Sequence, residues 1–160
     1  MRAMRYIVRA AEERDVETIV GLWREFVRFH QELDDRVRTR EGSGDSFAAL
    51  VRSLLESDGD RVAVAETADG CLIGYAIGSD RDNAPVRGPE RFGFVSDIYV
   101  DERHRREGVA RALFSDLEHW FKERGLTSVE LGVLNVNTLG QAFWRAQGFT
   151  DFVDRLRRDL

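Results

Sequence analysis

Apolar residues recur along this chain with two different periods, and the changes of period mark its elements. Residues 6–10 are short and partly β-branched, which predicts an opening strand. Val16, Ile19, Val20, Trp23, Phe26, Val27 and His30 then fall at helical spacing, with Arg24, Glu25 and Arg28 between them. They predict an amphipathic helix with Asp15 as its cap. Residues 32–46 are polar and end in Gly42-Ser43-Gly44-Asp45, which reads as a loop. Phe47, Leu50, Val51, Leu54 and Leu55 line one face of a second helix, stopped by Asp58-Gly59-Asp60.

From Arg61 the period shortens. Residues 62–66 and 71–78 read as strands around the turn Ala68-Asp69-Gly70. Residues 80–91 form a polar loop holding both prolines, and 92–100 a largely buried strand. A third helix is predicted from about 108 to 124, with Val109, Leu113, Leu117, Trp120 and Phe121 inward and Gly125 closing it. A strand over 128–134, a short helix over 138–146 and a last strand over 152–158 complete the sheet. This order predicts an α/β (α+β) fold, one mixed sheet with helices packed on it, in a single domain over residues 1–160.

Composition then limits the partners. The 24 basic residues against 29 acidic ones leave a net charge of −5, which disfavours nucleic acid and suits neutral or cationic ligands. Cys71 stands alone, so no internal disulfide forms and a reducing cytoplasm is expected. No apolar run approaches the ~20 residues of a membrane span. The N-terminus lacks a signal-peptide core, and no membrane partner is expected. Both a monomer and a homodimer remain open.

The stretch richest in chemistry is Ile98-Tyr99-Val100-Asp101-Glu102-Arg103-His104-Arg105-Arg106-Glu107-Gly108-Val109-Ala110. A hydrophobic strand runs into a short basic loop, and a helix opens at a glycine. Such a turn offers unpaired amides and the positive end of a helix dipole to an anion. Gly108 allows the backbone to approach a phosphate closely. On these residues alone, a plain strand-to-helix turn with solvated arginines fits equally well.

The same stretch resembles the GCN5-related N-acetyltransferases, the GNAT superfamily. Its phosphate loop follows Gln/Arg-x-x-Gly-x-Gly/Ala, and residues Arg105-Arg106-Glu107-Gly108-Val109-Ala110 fit it. Asn137, Gly140, Trp144, Gly148 and Phe149 echo the family's downstream Asn-x-x-Ala-x-x-x-Tyr-x-x-x-Gly-Phe. The resemblance implies a GNAT fold, with a mostly antiparallel sheet splayed between its fourth and fifth strands. It implies acetyl-CoA, or another short acyl-CoA, as cofactor. The pyrophosphate would lie on the amides of Arg106 to Ala110, and the pantetheine along Ile98, Tyr99 and Val100. The implied reaction is direct acyl transfer to a primary amine (a small amine, polyamine, amino acid or protein amine) in a ternary complex. The Val100 amide would polarise the acyl carbonyl. Asn137 would cap its helix and meet the pantetheine arm; a cap alone explains it equally well.

Two departures stand out. Gly140 replaces the usual alanine, at a cost of up to ~1 kcal/mol in helix propensity. Trp144 replaces a tyrosine whose hydroxyl reprotonates the leaving thiolate in many relatives, and an indole N–H is no acid near neutrality. Tyr99 is then the candidate acid, and Trp144 a candidate wall of the acyl pocket. Asp97, a charge among Phe94, Val95, Ile98 and Val100, is the candidate base that frees the amine. His30, His104 and His119 read as solvated or core histidines, and no metal site is expected. The acidic loop Glu32, Asp34, Asp35, Glu41 and Asp45 would draw a cationic acceptor to the mouth. A rival reading is a non-catalytic acyl-CoA-binding regulatory domain.

Overall fold

The computed structural model describes residues 6–160; the first five, part of the stretch read for a signal peptide, lie outside the described residues. Five strands form one sheet in the order β1(Tyr6–Ala10), β2(Asp60–Thr67), β3(Leu72–Asp82), β4(Arg91–Val100) and β5(Val129–Leu131). The first four pair antiparallel, and β5 joins β4 in parallel. The four helices are α1(Val16–Leu33), α2(Ser43–Glu56), α3(Val109–Glu123) and α4(Thr138–Ala146).

Each face of the sheet carries its own core. α1 and α2 bring Val16, Ile19, Val20, Phe47 and Val51 onto Val62, Val64, Tyr75 and Ile77. On the other face α3 lays Val109, Leu113, Leu117 and Phe121 over Ala63, Ala65, Ala76 and Val95, and α4 adds Trp144. A Cβ at Gly78 or Gly93 would lie 2.9 or 2.8 Å from the Phe121 ring, so these two glycines let the ring rest on the sheet. Each such fully buried large side chain contributes ~1.5–3 kcal/mol.

Several boundaries differ from the expectation. α2 opens at Ser43, because Gly42 turns through φ 72° and starts the helix inside the polar segment. Asp15 stands at the start of α1 but does not cap it; its carboxylate accepts from Arg9 (2.7 Å) and from the Glu12 amide (2.8 Å). The β3–β4 hairpin runs on through Asp82↔Arg91, shortening the loop read over 80–91. No strand follows β5 among the described residues, so the predicted strand over 152–158 is a misreading. Phe152, Val153 and Leu156 do not alternate, charges surround them, and they are 76%, 72% and 93% exposed.

The register of β4 decides the position of the site. Ile77 pairs with Asp97 but Gly78 pairs with Val95, leaving Ser96 as a bulge. Side chains alternate strictly in a regular strand, so Val95 and Asp97 would share a face. The extra residue turns Val95 into the α3 core and Asp97 toward Tyr75 on the α1 face. The β4–β5 pairing ends at Val95↔Leu131, and from Ser96 onward β4 has no neighbour on that side.

Candidate functional site

The splayed end of the sheet holds a cavity of about 560 Å³, bordered by β4, the loop before α3, α1 and α4. Asp101 donates its N–H to Ile73 O of β3 at 2.9 Å. Backbone groups alternate sides along an antiparallel strand, so Ile98 and Val100 direct theirs into the gap. The Val100 carbonyl accepts from Arg105 Nε at 3.3 Å, and the same alternation turns the Val100 N–H toward the gap. Tyr99 lies between them and contributes its backbone to the same strand.

At the cavity's far end the loop curls twice through left-handed geometry, at Arg106 (φ 63°) and Gly108 (φ 82°). A non-glycine residue held there is strained, and consecutive turns of this kind aim their amides at one point. α3 opens at Val109, so the amides of Val109 and Ala110 have no carbonyl one turn behind them. Tyr6 Oη donates to Glu107 O at 3.4 Å, tying the loop to β1. Asp101 fixes the loop's start by accepting from the Arg103 amide at 2.9 Å, and the Arg103 guanidinium holds its carboxyl at about 2. Arg105, Arg106 and Arg111 line the cavity beside these amides, and the arrangement suits a phosphate group.

The other end is built for a cation or a proton. Tyr75 donates its hydroxyl to Asp97 Oδ2 at 3.0 Å. Burial raises Asp97 above the usual carboxylate range, against the lowering effects of Tyr75 and His30. Asp97 still borders the cavity, as do Phe26, Phe29 and His30 of α1. From α4's start, Asn137 is buried and accepts from the Gly140 amide at 2.9 Å, confirming the expected cap.

The remaining candidates fall out as follows. Tyr99 donates to Glu25 Oε2 at 3.2 Å, and burial followed by Glu25 pushes it up to about 12. A phenol so tied and so weakly acidic is a poor proton source for a leaving thiolate, so the structure does not favour the acid role. Trp144 is 7% exposed and packs edge-on against Phe114, Phe143 and Phe149 at 4.9–5.3 Å, while also meeting the cavity wall. None of Glu32, Asp34, Asp35, Glu41 and Asp45 borders the cavity. Asp34 is held at about 2 by Arg36, so the expected acidic mouth is replaced by Asp97 within. Cys71, exposed at the β2–β3 turn, lies away from it.

The sequence reads His30 as a solvated or core histidine and gives no site role to Glu25, Phe29 or Tyr75. His30 was in phase with the buried face of α1, and that phase was the signal available.

A family model described as the acetyltransferase (GNAT) family matches residues 19–149. The chain belongs to this family. This GNAT acetyltransferase is 27% identical over 130 residues to an aminoglycoside N(6')-acetyltransferase type 1 of Serratia marcescens, covering 76% of this chain and 88% of that one. It is 24% identical over 156 residues to a thialysine N-epsilon-acetyltransferase of Bos taurus, covering 92% and 86%. Among solved structures it is similar to the aminoglycoside N-acetyltransferase AAC(6')-Iy in complex with CoA, with a TM-score of 0.77 at 22% identity, over 99% of this chain and 97% of that one. At that identity the likeness establishes the fold. No helix of the described residues is long and apolar enough to cross a membrane.

Proposed function

We propose that this acetyltransferase, acting as one domain over residues 1–160, moves the acetyl group of acetyl-CoA onto a primary amine by direct attack in a ternary complex. One observation carries the reading: a single cavity joins an anion-binding loop to a carboxylate, with an unpaired strand edge between them. The amides from Arg106 to Ala110, with Arg105 and Arg106, would hold the pyrophosphate. The free edge at Ile98 and Val100 would pair with the amides of the pantetheine arm, with Tyr99 holding that stretch to β3 between them and Asn137 bordering it. When bound, the thioester supplies an activated acyl group, and the Val100 N–H is aimed at the developing oxyanion. Trp144 closes the acyl end, and Asp97 receives the ammonium of the acceptor.

The acceptor class follows from the walls. A carboxylate and the rings of Phe26 and Phe29 in one cavity favour a small cationic amine, since aromatic faces and a carboxylate both attract an ammonium. The relatives' names, aminoglycoside and thialysine acetyltransferases, agree with an amine acceptor. The test is thiol release from acetyl-CoA with kanamycin A, thialysine, spermidine and a lysine peptide, each product checked by mass spectrometry. At least one small amine should turn over well above hydrolysis. Tight CoA binding with no amine-dependent release would favour the regulatory domain.

A further inference from the structure

His30 stands in the last turn of α1 with its two ring nitrogens in different surroundings. Nδ1 lies 2.8 Å from Phe26 O, a carbonyl one turn back that can only accept, so the neutral ring carries its proton on Nδ1. Nε2 is then the nitrogen with a lone pair. Its one neighbour within hydrogen-bonding range is Asn137 Nδ2 at 3.5 Å, too long for a strong bond, and His30 borders the cavity. Phe26 and Phe29 hold the ring at centroid distances of 4.3 and 5.3 Å.

The departure at Gly140 belongs to this arrangement. A Cβ there would lie 2.6 Å from Asn137 Nδ2 and 2.9 Å from Cγ, so alanine would push the carboxamide out of its place. With glycine, Asn137 Oδ1 takes the Gly140 amide and Nδ2 faces Nε2. The charged and titratable groups around this corner come from three other elements and from α1 itself. β4 brings Asp97 and Tyr99, β3 brings Tyr75, and the loop before α3 brings Arg105 over the Phe29 and Tyr99 rings. α1 contributes Glu25, which is engaged by Tyr99.

We propose that His30 Nε2 is the catalytic base that takes the proton of the acceptor's ammonium, with Asp97 holding that ammonium beside it. The assignment rests on the acetyl-transfer reading above. A neutral imidazole nitrogen with a free lone pair can both take up and release a proton, which suits a base that must reload at every turnover. The ammonium gives one proton to Nε2, which returns it to solvent through the cavity. The freed lone pair forms the N–C bond as the C–S bond breaks. The nitrogen's second proton balances the departing sulfur, which leaves as a thiol. Asp97, opposite, stabilises the imidazolium meanwhile.

The experiment compares wild type, His30→Gln and Gly140→Ala by thiol release from acetyl-CoA between pH 6 and 10, using the best amine of the four probes. His30→Gln should lose ~10²–10³-fold in kcat/KM at pH 7, the usual worth of a positioned base. Its rate should climb with the fraction of neutral amine in solution and approach wild type near pH 10. A purely structural loss would persist at every pH. Gly140→Ala should lose less, ~10-fold, because it only displaces Asn137. CoA affinity by calorimetry should be unchanged in His30→Gln. A wild-type pH profile and rate in His30→Gln would overturn the proposal while leaving acetyl transfer standing. Absence of amine-dependent release in wild type would overturn both. If His30→Gln does not fold, nitrogen-15 NMR of the wild-type ring decides: a proton on Nδ1 supports the assignment, and a proton on Nε2 overturns it.

Discussion

Asp97 is held where a carboxylate is costly. Its proton is bound more tightly in the folded chain than in the unfolded one, because burial disfavours the charge more than Tyr75 and His30 favour it. Above both pKa values the ionised group therefore destabilises the fold, and the penalty fades as pH falls through the raised native value. Asp97→Asn keeps an acceptor for Tyr75 and removes the charge. It should raise Tm at pH 8, by ~2–4 °C for each ~1 kcal/mol relieved. The gain should shrink toward acid pH, while kcat/KM for the amine falls ~10²-fold or more. A lower Tm at pH 8, measured by calorimetry, would mean that the carboxylate stabilises the fold. Trp144 presents the opposite case, a side chain whose burial is favourable. Trp144→Ala should cost about 3–5 kcal/mol. It should also raise the kcat/KM ratio of butyryl-CoA to acetyl-CoA by ~10-fold, since a pocket wall discriminates by a few methylenes. Trp144→Tyr should keep acetyl transfer. An unchanged ratio in Trp144→Ala would make the indole a core residue alone.

At the scale of elements, the legible part of the chain was whatever periodicity or glycine placement controls. The four helices and β1 to β4 overlap the spans that spacing gives them, β5 keeps only Val129–Leu131 of the strand read over 128–134, and the loop from Arg105 to Ala110 opens α3 at Gly108 as its motif implied. What spacing does not encode is a single inserted residue. The bulge at Ser96 has no signature in the spacing of β4, yet it reverses the face of Asp97 and brings it to α1. His30 was hidden for a related reason: an inward histidine on a helix has the same spacing as a core residue, and only the approach of α4 makes it part of a site. The strand read over 152–158 failed because its apolar residues have no partner surface on the three-residue β5. The β3–β4 hairpin outran its reading because cross-strand partners extended it into polar sequence, with Arg81 lying over Phe94 at 3.7 Å.

Over the whole molecule, two cores on opposite faces of one sheet support two ends of one cavity. The α3 core sets the anion loop, because α3 begins where β4 ends. The α1 core sets Phe26, Phe29 and His30, because α1 packs on the face to which the bulge turns Asp97. The unpaired length of β4 joins the two ends, and the sheet tolerates it because β5 diverges after Leu131. Acetyl-CoA would therefore be gripped at its pyrophosphate by backbone amides that only a left-handed Gly108 can present. Gly108→Glu forces a β-carbon into that geometry and adds a negative charge where the phosphates would sit. The most direct measurement is isothermal titration calorimetry of CoA against wild type and Gly108→Glu, each first shown to unfold cooperatively. Wild type should bind CoA with micromolar affinity, and the variant should lose at least ~100-fold. Equal affinity for CoA in the two folded proteins would contradict it.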